Sequence, residues 1–147
     1  MHQDKFYMKT AIDEAKKATD IVYPNPKVGC VIVQNEQIVS RGYHKKYGGP
    51  HAEAEAIRIA EIKGYSLRGT SLYCTVEPCS FQGRSPSCAK TIIEKNISHV
   101  VTAIRDPHPK VNGEGTRILK DAGITVTEGI EEDAARILLA EWLKGYE

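Results

Sequence analysis

Apolar residues recur at three- and four-residue spacing through Tyr7, Met8, Ala11, Ile12, Ala15 and Ala18, which predicts an amphipathic helix over roughly Asp4 to Thr19. Pro24-Asn25-Pro26 closes that segment, because neither proline suits a helix interior and Asn25 between them is held extended or in a turn. The β-branched run Val28 to Gln34, turn residues Asn35-Glu36 and the alternating Gln37 to Tyr43 then predict a hairpin whose first strand is buried on both faces. The glycines and proline of His44 to Pro50 mark a loop, and Ala52, Ala56, Ile59 and Ala60 mark a helix that ends near Gly64. Thr70 to Val76 reads as a strand with Leu72, Cys74 and Val76 on one side and Tyr73 and Thr75 on the other.

After a loop from Glu77 to Ser87, the pattern continues as a helix over Cys88 to Lys95, a strand over His99 to Ile104, a loop, and a short helix over Thr116 to Ala122. A last strand, Ile124 to Thr127, and a final amphipathic helix, Glu131 to Trp142, complete the chain; the acidic run at Glu131 suits the positive end of that helix. Strands separated by helices of this length imply parallel pairing through right-handed crossovers. The sum is an α/β fold, a three-layer α/β/α arrangement around a five-stranded mixed sheet, in one domain over residues 1–147 with no reductase domain.

Composition changes this picture little. The 147 residues are 41% hydrophobic and 27% charged, as in an ordinary globular protein, and no apolar run has the length of a membrane span. A net charge of +1 with scattered Lys and Arg argues against a nucleic-acid partner. Met1-His2-Gln3-Asp4-Lys5 carries no apolar leader core, so a cytoplasmic location is expected. In a reducing compartment the 4 cysteines are thiols or metal ligands rather than a disulfide framework.

The candidate chemistry lies between His51 and Cys88. Pro50-His51-Ala52-Glu53 at the start of one predicted helix, Pro78-Cys79, and Cys88 at the start of another supply one imidazole, two thiols and a carboxylate. Such a set matches a catalytic zinc with three protein ligands and an open position. Zinc lowers the pKa of water toward ~7, and Glu53 is placed to take its proton and pass it to a departing amine, which is what hydrolytic deamination of an amidine-like ring carbon requires. Cys30 and Cys74 read as buried core thiols. The competing reading is a closed structural zinc site with Cys30 or Cys74 as fourth ligand, and Glu53 as a plain helix-N-terminal acid.

Pro24-Asn25-Pro26-Lys27-Val28-Gly29, Gly42-Tyr43-His44, Gly49-Pro50-His51-Ala52-Glu53, Glu77-Pro78-Cys79-Ser80 and Gly83-Arg84 through Cys88 resemble the deaminase domain of the bifunctional riboflavin-biosynthesis deaminase/reductase family. The long insert between Cys79 and Cys88 is that family's, and the resemblance extends to about Gly129. It implies a cytidine deaminase-like fold and a Zn2+ cofactor on His51, Cys79 and Cys88, with Glu53 as proton shuttle. The implied substrate is the phosphorylated pyrimidine 2,5-diamino-6-ribosylamino-4(3H)-pyrimidinone 5′-phosphate, deaminated at C2. Substrate contacts are expected at Asn25, His44, Ala52, Phe81, Gln82, Arg84, Asp106 and His108, and a homo-oligomer is implied, with Ile92, Ile93 and the Trp142 helix as apolar candidates for its interface.

The chain departs from the family pattern in two places: Phe81-Gln82 stands where two histidines are typical, and His108 stands where asparagine is typical. These positions leave open a related deaminase of another small amino-heterocycle, a pterin, purine or pyrimidine. A non-catalytic zinc-stabilised partner subunit is a further reading, opposed by the intact Glu53. Taken residue by residue, Asn25 also reads as a turn residue, His44 as a loop histidine, and Arg84 and Lys110 equally as phosphate ligands or solvated surface charges. His2 and His99 read as incidental.

Overall fold

The computed structural model describes residues 2–80, 87–109 and 111–146. Helix α1 is His2–Ala15, strand β1 Gly29–Gln34, β2 Gln37–Tyr43, helix α2 Ala52–Ile62 and strand β3 Ser71–Val76. Helix α3 is Cys88–Glu94, β4 His99–Ile104, α4 Glu114–Asp121, β5 Thr125–Thr127, α5 Glu132–Leu138 and α6 Ala140–Leu143. The five strands form one sheet in the order β2-β1-β3-β4-β5. Strand β1 runs antiparallel to both β2 and β3, and the pairs β3–β4 and β4–β5 are parallel. The expected mixed sheet is the one that forms.

The hairpin follows from its turn. Asn35 and Glu36 both have positive φ, 51° and 63°, the conformation of a two-residue turn whose twist matches that of paired strands. Beyond it the register shifts between Ile32 and Val33, so Val39 is an extra residue on β2. Strand β1 is buried along five of its six positions, as its unbroken apolar run predicts.

Each face of the sheet carries its own core. On one face Cys30, Ile32, Leu72, Cys74 and Val100 pack beneath Ala56, Ile57 and Ala60 of α2, Ala89 and Ile92 of α3, and Leu119 of α4. On the other, Val31, Val33, Tyr73, Val101 and Ala103 pack against Tyr7, Met8, Ala11 and Ile12 of α1, with Ala135 of α5 and Leu139. Helix α1 is further pinned by two phenols. Tyr73 donates to Asp4 Oδ1 at 2.5 Å, and Tyr7 donates to the Glu36 carbonyl at 2.7 Å.

Four expectations need correction. The first helix ends at Ala15 rather than Thr19, and Lys17 and Ala18 continue it only through tighter three-residue bonds to Glu14 and Ala15. Ala18 is buried all the same, which is why the apolar period runs past the helix end. The final helix is broken at Leu139 (φ −98°, ψ 12°), so that Leu139 enters the core while Trp142 and Leu143 fold back over the same cluster. Val76 packs in the α1-side core rather than with Leu72 and Cys74; the β1–β3 ladder ends at Cys30–Cys74, and Gly29 N–H bonds the Thr75 hydroxyl just before it. Ile92 has no exposed surface, which removes it from any intersubunit contact, and Ile93 packs against the same core.

Two glycines set how closely helices approach the sheet. A Cβ on Gly29 would lie 2.0 Å from the Ala11 carbonyl oxygen and 2.5 Å from Ala15 N, both backbone atoms of α1. One on Gly42 would lie 2.6 Å from both the Ala52 oxygen and Ala56 N of α2. Gly29→Ala is therefore expected to destabilise the protein by about 2–3 kcal/mol through overpacking. Gly145→Ala, with nothing within 4 Å, should change stability by less than about 0.5 kcal/mol. Urea denaturation of the two variants checks the contrast.

Candidate active site

The parallel strands β3 and β4 end on the same side of the sheet, and the chain leaving β3 runs through Glu77-Pro78-Cys79 toward α3. Clefts beyond the carboxyl ends of parallel strands are where α/β folds place ligands. His51 is the N-cap of α2, and Cys88 is the first residue of α3. Helix α3 starts there because the Ser87 side chain accepts from Lys90 N at 3.2 Å. Cys79 satisfies the remaining amides of that first turn: its carbonyl accepts from Ala89 N at 3.1 Å and its Sγ from Cys88 N at 3.1 Å.

These contacts bring three ligand atoms together. His51 Nδ1 lies 3.7 Å from Cys79 Sγ and 3.5 Å from Cys88 Sγ, and all three ligand atoms lie within 4.8 Å of one another. Tetrahedral zinc, with bonds of about 2.1 Å to nitrogen and 2.3 Å to sulfur, requires a nitrogen-to-sulfur separation of about 3.6 Å. The cluster fits zinc. Cys30 and Cys74 do not join it: they are buried opposite one another on β1 and β3, so the closed four-ligand reading fails. Among the described residues the metal-ligand set has three members, which leaves a tetrahedral ion an open position.

The charges at the cluster are set by burial and by mutual contact. The Cys79 thiol is pushed down to about 4, chiefly by the hydrogen bond from the Cys88 thiol and then by those from His51 and the Cys88 amide. Cys88 is pushed up by its partner thiol and by burial, and His51 is raised by its contact with Cys79. Glu53 lies buried on the first turn of α2, beside the Cys79 and Cys88 thiols. Desolvation, reinforced by the Cys79 charge, pushes its carboxyl up to about 7. A carboxyl poised there exchanges protons readily near neutral pH, and a cation on the three ligands pulls it the other way.

Asn25 and His44, distant in sequence, meet beside this cluster. His44 is buried, its Nδ1 is 2.9 Å from the Pro50 carbonyl and its Nε2 is 3.1 Å from Asn25 Nδ2. Only a proton on Nδ1 suits the carbonyl, so Nε2 accepts from the Asn25 amide. Burial lowers the His44 pKa, which keeps that neutral tautomer. The two imidazoles of His44 and His51 stand edge to face with centroids 5.5 Å apart.

The remaining expected contacts are placed unevenly. Ala52, expected at the substrate, is instead wholly buried in the α2-side core, which leaves it no surface for that contact. Asp106 follows β4, and its Oδ1 accepts from His108 N at 3.0 Å; the exposed His108 ring meets the edge of Tyr146 at 6.2 Å. Phe81, Gln82, Arg84 and Lys110 lie outside the described residues. His99, read as incidental, sits near the far end of β4 and bonds Thr127 Oγ1 at 2.9 Å. Sequence reasoning missed Glu77, a buried carboxylate that accepts from Asp106, Gly113 and Thr116 amides. Its position beside Pro78-Cys79 is a signal, but its partners, 29 to 39 residues away, are not readable from spacing.

A three-ligand zinc position at two helix N-termini, backed by a buried carboxyl above a mixed α/β/α sheet, defines a zinc-dependent hydrolytic enzyme. The chain belongs to the family described by the cytidine and deoxycytidylate deaminase zinc-binding region, whose model matches residues 1–104. It is 44% identical over 128 residues to the diaminohydroxyphosphoribosylamino-pyrimidine deaminase of Buchnera aphidicola subsp. Schizaphis graminum, covering 87% of this chain and 85% of that protein. It is 42% identical over 142 residues to the riboflavin biosynthesis protein RibD of Escherichia coli, covering 97% of this chain and 38% of that protein. The Thermotoga maritima diaminohydroxyphosphoribosylaminopyrimidine deaminase/5-amino-6-(5-phosphoribosylamino)uracil reductase superposes with a TM-score of 0.94 at 43% identity, over 97% of this chain and 41% of that one. The chain thus spans less than half the length of these two longer relatives.

His51→Ala, Cys79→Ser and Cys88→Ser are each expected to weaken zinc binding by more than about 100-fold, beyond the range typical of outer-shell partners. Cys30→Ala and Cys74→Ala should retain zinc. Elemental analysis of dialysed protein checks the division.

Proposed function

We propose that this chain is a zinc-dependent aminohydrolase that deaminates 2,5-diamino-6-ribosylamino-4(3H)-pyrimidinone 5′-phosphate at C2, in riboflavin biosynthesis. The observation that carries the reading is the buried Glu53 carboxyl beside a three-member ligand set that fits zinc. The relatives named for this deaminase reaction support the choice of substrate. In this reading His51, Cys79 and Cys88 hold the metal. Zinc held there supplies Lewis acidity that makes hydroxide available near neutral pH.

Glu53 does the proton work. It accepts a proton from the attacking water as the new C2–O bond forms and delivers it to the amino nitrogen, so that the C2–N bond breaks with loss of ammonia rather than amide ion. Asn25 and His44 form one wall of the substrate pocket, the amide being oriented by the neutral His44 ring, which is itself tied to Pro50. Asp106 and His108 form the opposite wall; Phe81, Gln82 and Arg84 complete the assigned set, with Arg84 suited to a phosphate.

The chain acts as a deaminase domain on a small phosphorylated heterocycle in the cytoplasm rather than on nucleic acid. A net charge of +1 supports the exclusion of nucleic acid. Among the described residues no helix is long and apolar enough to cross a membrane. Self-association is assigned to exposed apolar residues such as Ile62, not to the buried Ile92. The exposed His108 on the pocket wall favours keeping a second reading, a deaminase of a related amino-heterocycle.

Ammonia release over a panel of the diaminopyrimidine phosphate, pterins, purines and pyrimidines separates the two. Turnover of another ring without turnover of the diaminopyrimidine selects the second. Glu53→Ala is expected to keep zinc and lose about 10³-fold or more in rate, as for removal of a general acid–base; undiminished ammonia release by that variant refutes the mechanism.

A further inference from the structure

Glu77 is a buried carboxylate that takes no part in the proton chemistry above. Its Oε1 accepts from Asp106 N at 3.2 Å and Gly113 N at 2.9 Å, and its Oε2 accepts from Thr116 N at 3.1 Å. The nearby guanidinium of Arg105 is engaged by Glu128 at 2.6 and 3.2 Å. The charge of Glu77 is therefore held by backbone donors. Gly113, the N-cap of α4, has no side chain to offer that helix, and Glu77 supplies the missing cap from another strand's end.

The fit depends on a second glycine. A Cβ on Gly115 would lie 2.1 Å from the Pro78 oxygen and 3.2 Å from Glu77 Oε2, so the first turn of α4 seats directly on the segment that leads to Cys79. The hydrogen bonds then form a closed circuit. Glu77 holds Asp106 N, Asp106 Oδ1 holds His108 N, the His108 carbonyl holds Val111 N and Asn112 N at 3.0 and 2.9 Å, and Gly113 N returns to Glu77.

We propose that Glu77 is a positioning residue for substrate, a buried anionic clamp that fixes the Asp106 and His108 wall at a set distance from the Cys79 ligand. The proposal rests on the reading of that wall and of Cys79 given under the proposed function. The clamp needs a carboxylate because two oxygens serve three N–H donors. An amide has one oxygen, and its NH2 sets donor against donor at one of the three. A residue one methylene shorter keeps the charge but cannot reach both the β4 exit and α4. Loosening the wall affects ring binding before it affects the proton steps at Glu53.

The test uses Glu77→Gln and Glu77→Asp. Amide hydrogen exchange at Asp106, Gly113 and Thr116, zinc content, kcat and KM are read on each. Retained zinc, faster exchange at those three amides, and a KM raised about ten-fold with kcat changed by less than about three-fold are expected, the pattern of lost uniform binding. Faster exchange with unchanged KM makes Glu77 merely structural and overturns the proposal. So does a fall in kcat at constant KM, loss of zinc, or failure of both variants to fold. If the unsubstituted enzyme does not turn over the diaminopyrimidine phosphate, the substrate assignment fails; the clamp is then judged by exchange and by KM for whichever ring of the panel is deaminated.

Discussion

Two helix N-termini converge on one point beyond the end of β3, and much of the fold serves to keep them there. The α2 start brings His51, the α3 start brings Cys88, and Cys79 bridges them by accepting the α3 amides through both its carbonyl and its sulfur. A thiolate and a capped helix are thereby the same interaction: the N–H groups that lack partners in the first turn stabilise the charge that a metal requires. Gly42 lets the first turn of α2 lie against β2, which puts His51 at the depth the cluster needs.

Around that point the structure treats its buried carboxylates differently. Glu53 is buried and set beside a thiolate, so burial and charge push it up into the range of a proton carrier. Glu55, two residues along the same helix, bonds Arg58 and lies near Lys45, and its carboxyl is held low, chiefly by the Arg58 bond. Glu77 receives three backbone N–H groups and spends its charge on architecture. Identical side-chain chemistry thus divides into a proton shuttle, a surface-linked ion pair and a clamp according to which partners the packing provides.

Periodicity carried most of the fold. The β-branched run of β1, the positive-φ turn at Asn35-Glu36 and the three-residue recurrences of α1 and α2 are local signals, and each element formed within a few residues of its expected bounds. Where expectation missed, a long-range contact had overridden the local pattern. Ala18 stays apolar for burial beyond the helix end, Leu139 breaks a helix to reach the core, and Val76 packs in the α1-side core. The ligand set was legible for a similar reason: zinc chemistry restricts its donors to few residue types, so a histidine and a cysteine at helix starts, with a second cysteine just after a strand, stand out in a chain with only 4 cysteines.

Residue identity therefore established the elements, their order and the inventory of reactive groups, because these depend on backbone preference and on side-chain chemistry that travel with the residue. It did not establish which groups share an environment. That Cys30 and Cys74 face one another outside the ligand set, that His44 is buried as a single neutral tautomer between Pro50 and Asn25, and that Glu77 spans from β3 to α4 all depend on strand order and helix seating. Desolvation and hydrogen-bond partnership arise from atoms far apart along the chain, so they exist only once the sheet has brought β1, β3 and β4 side by side.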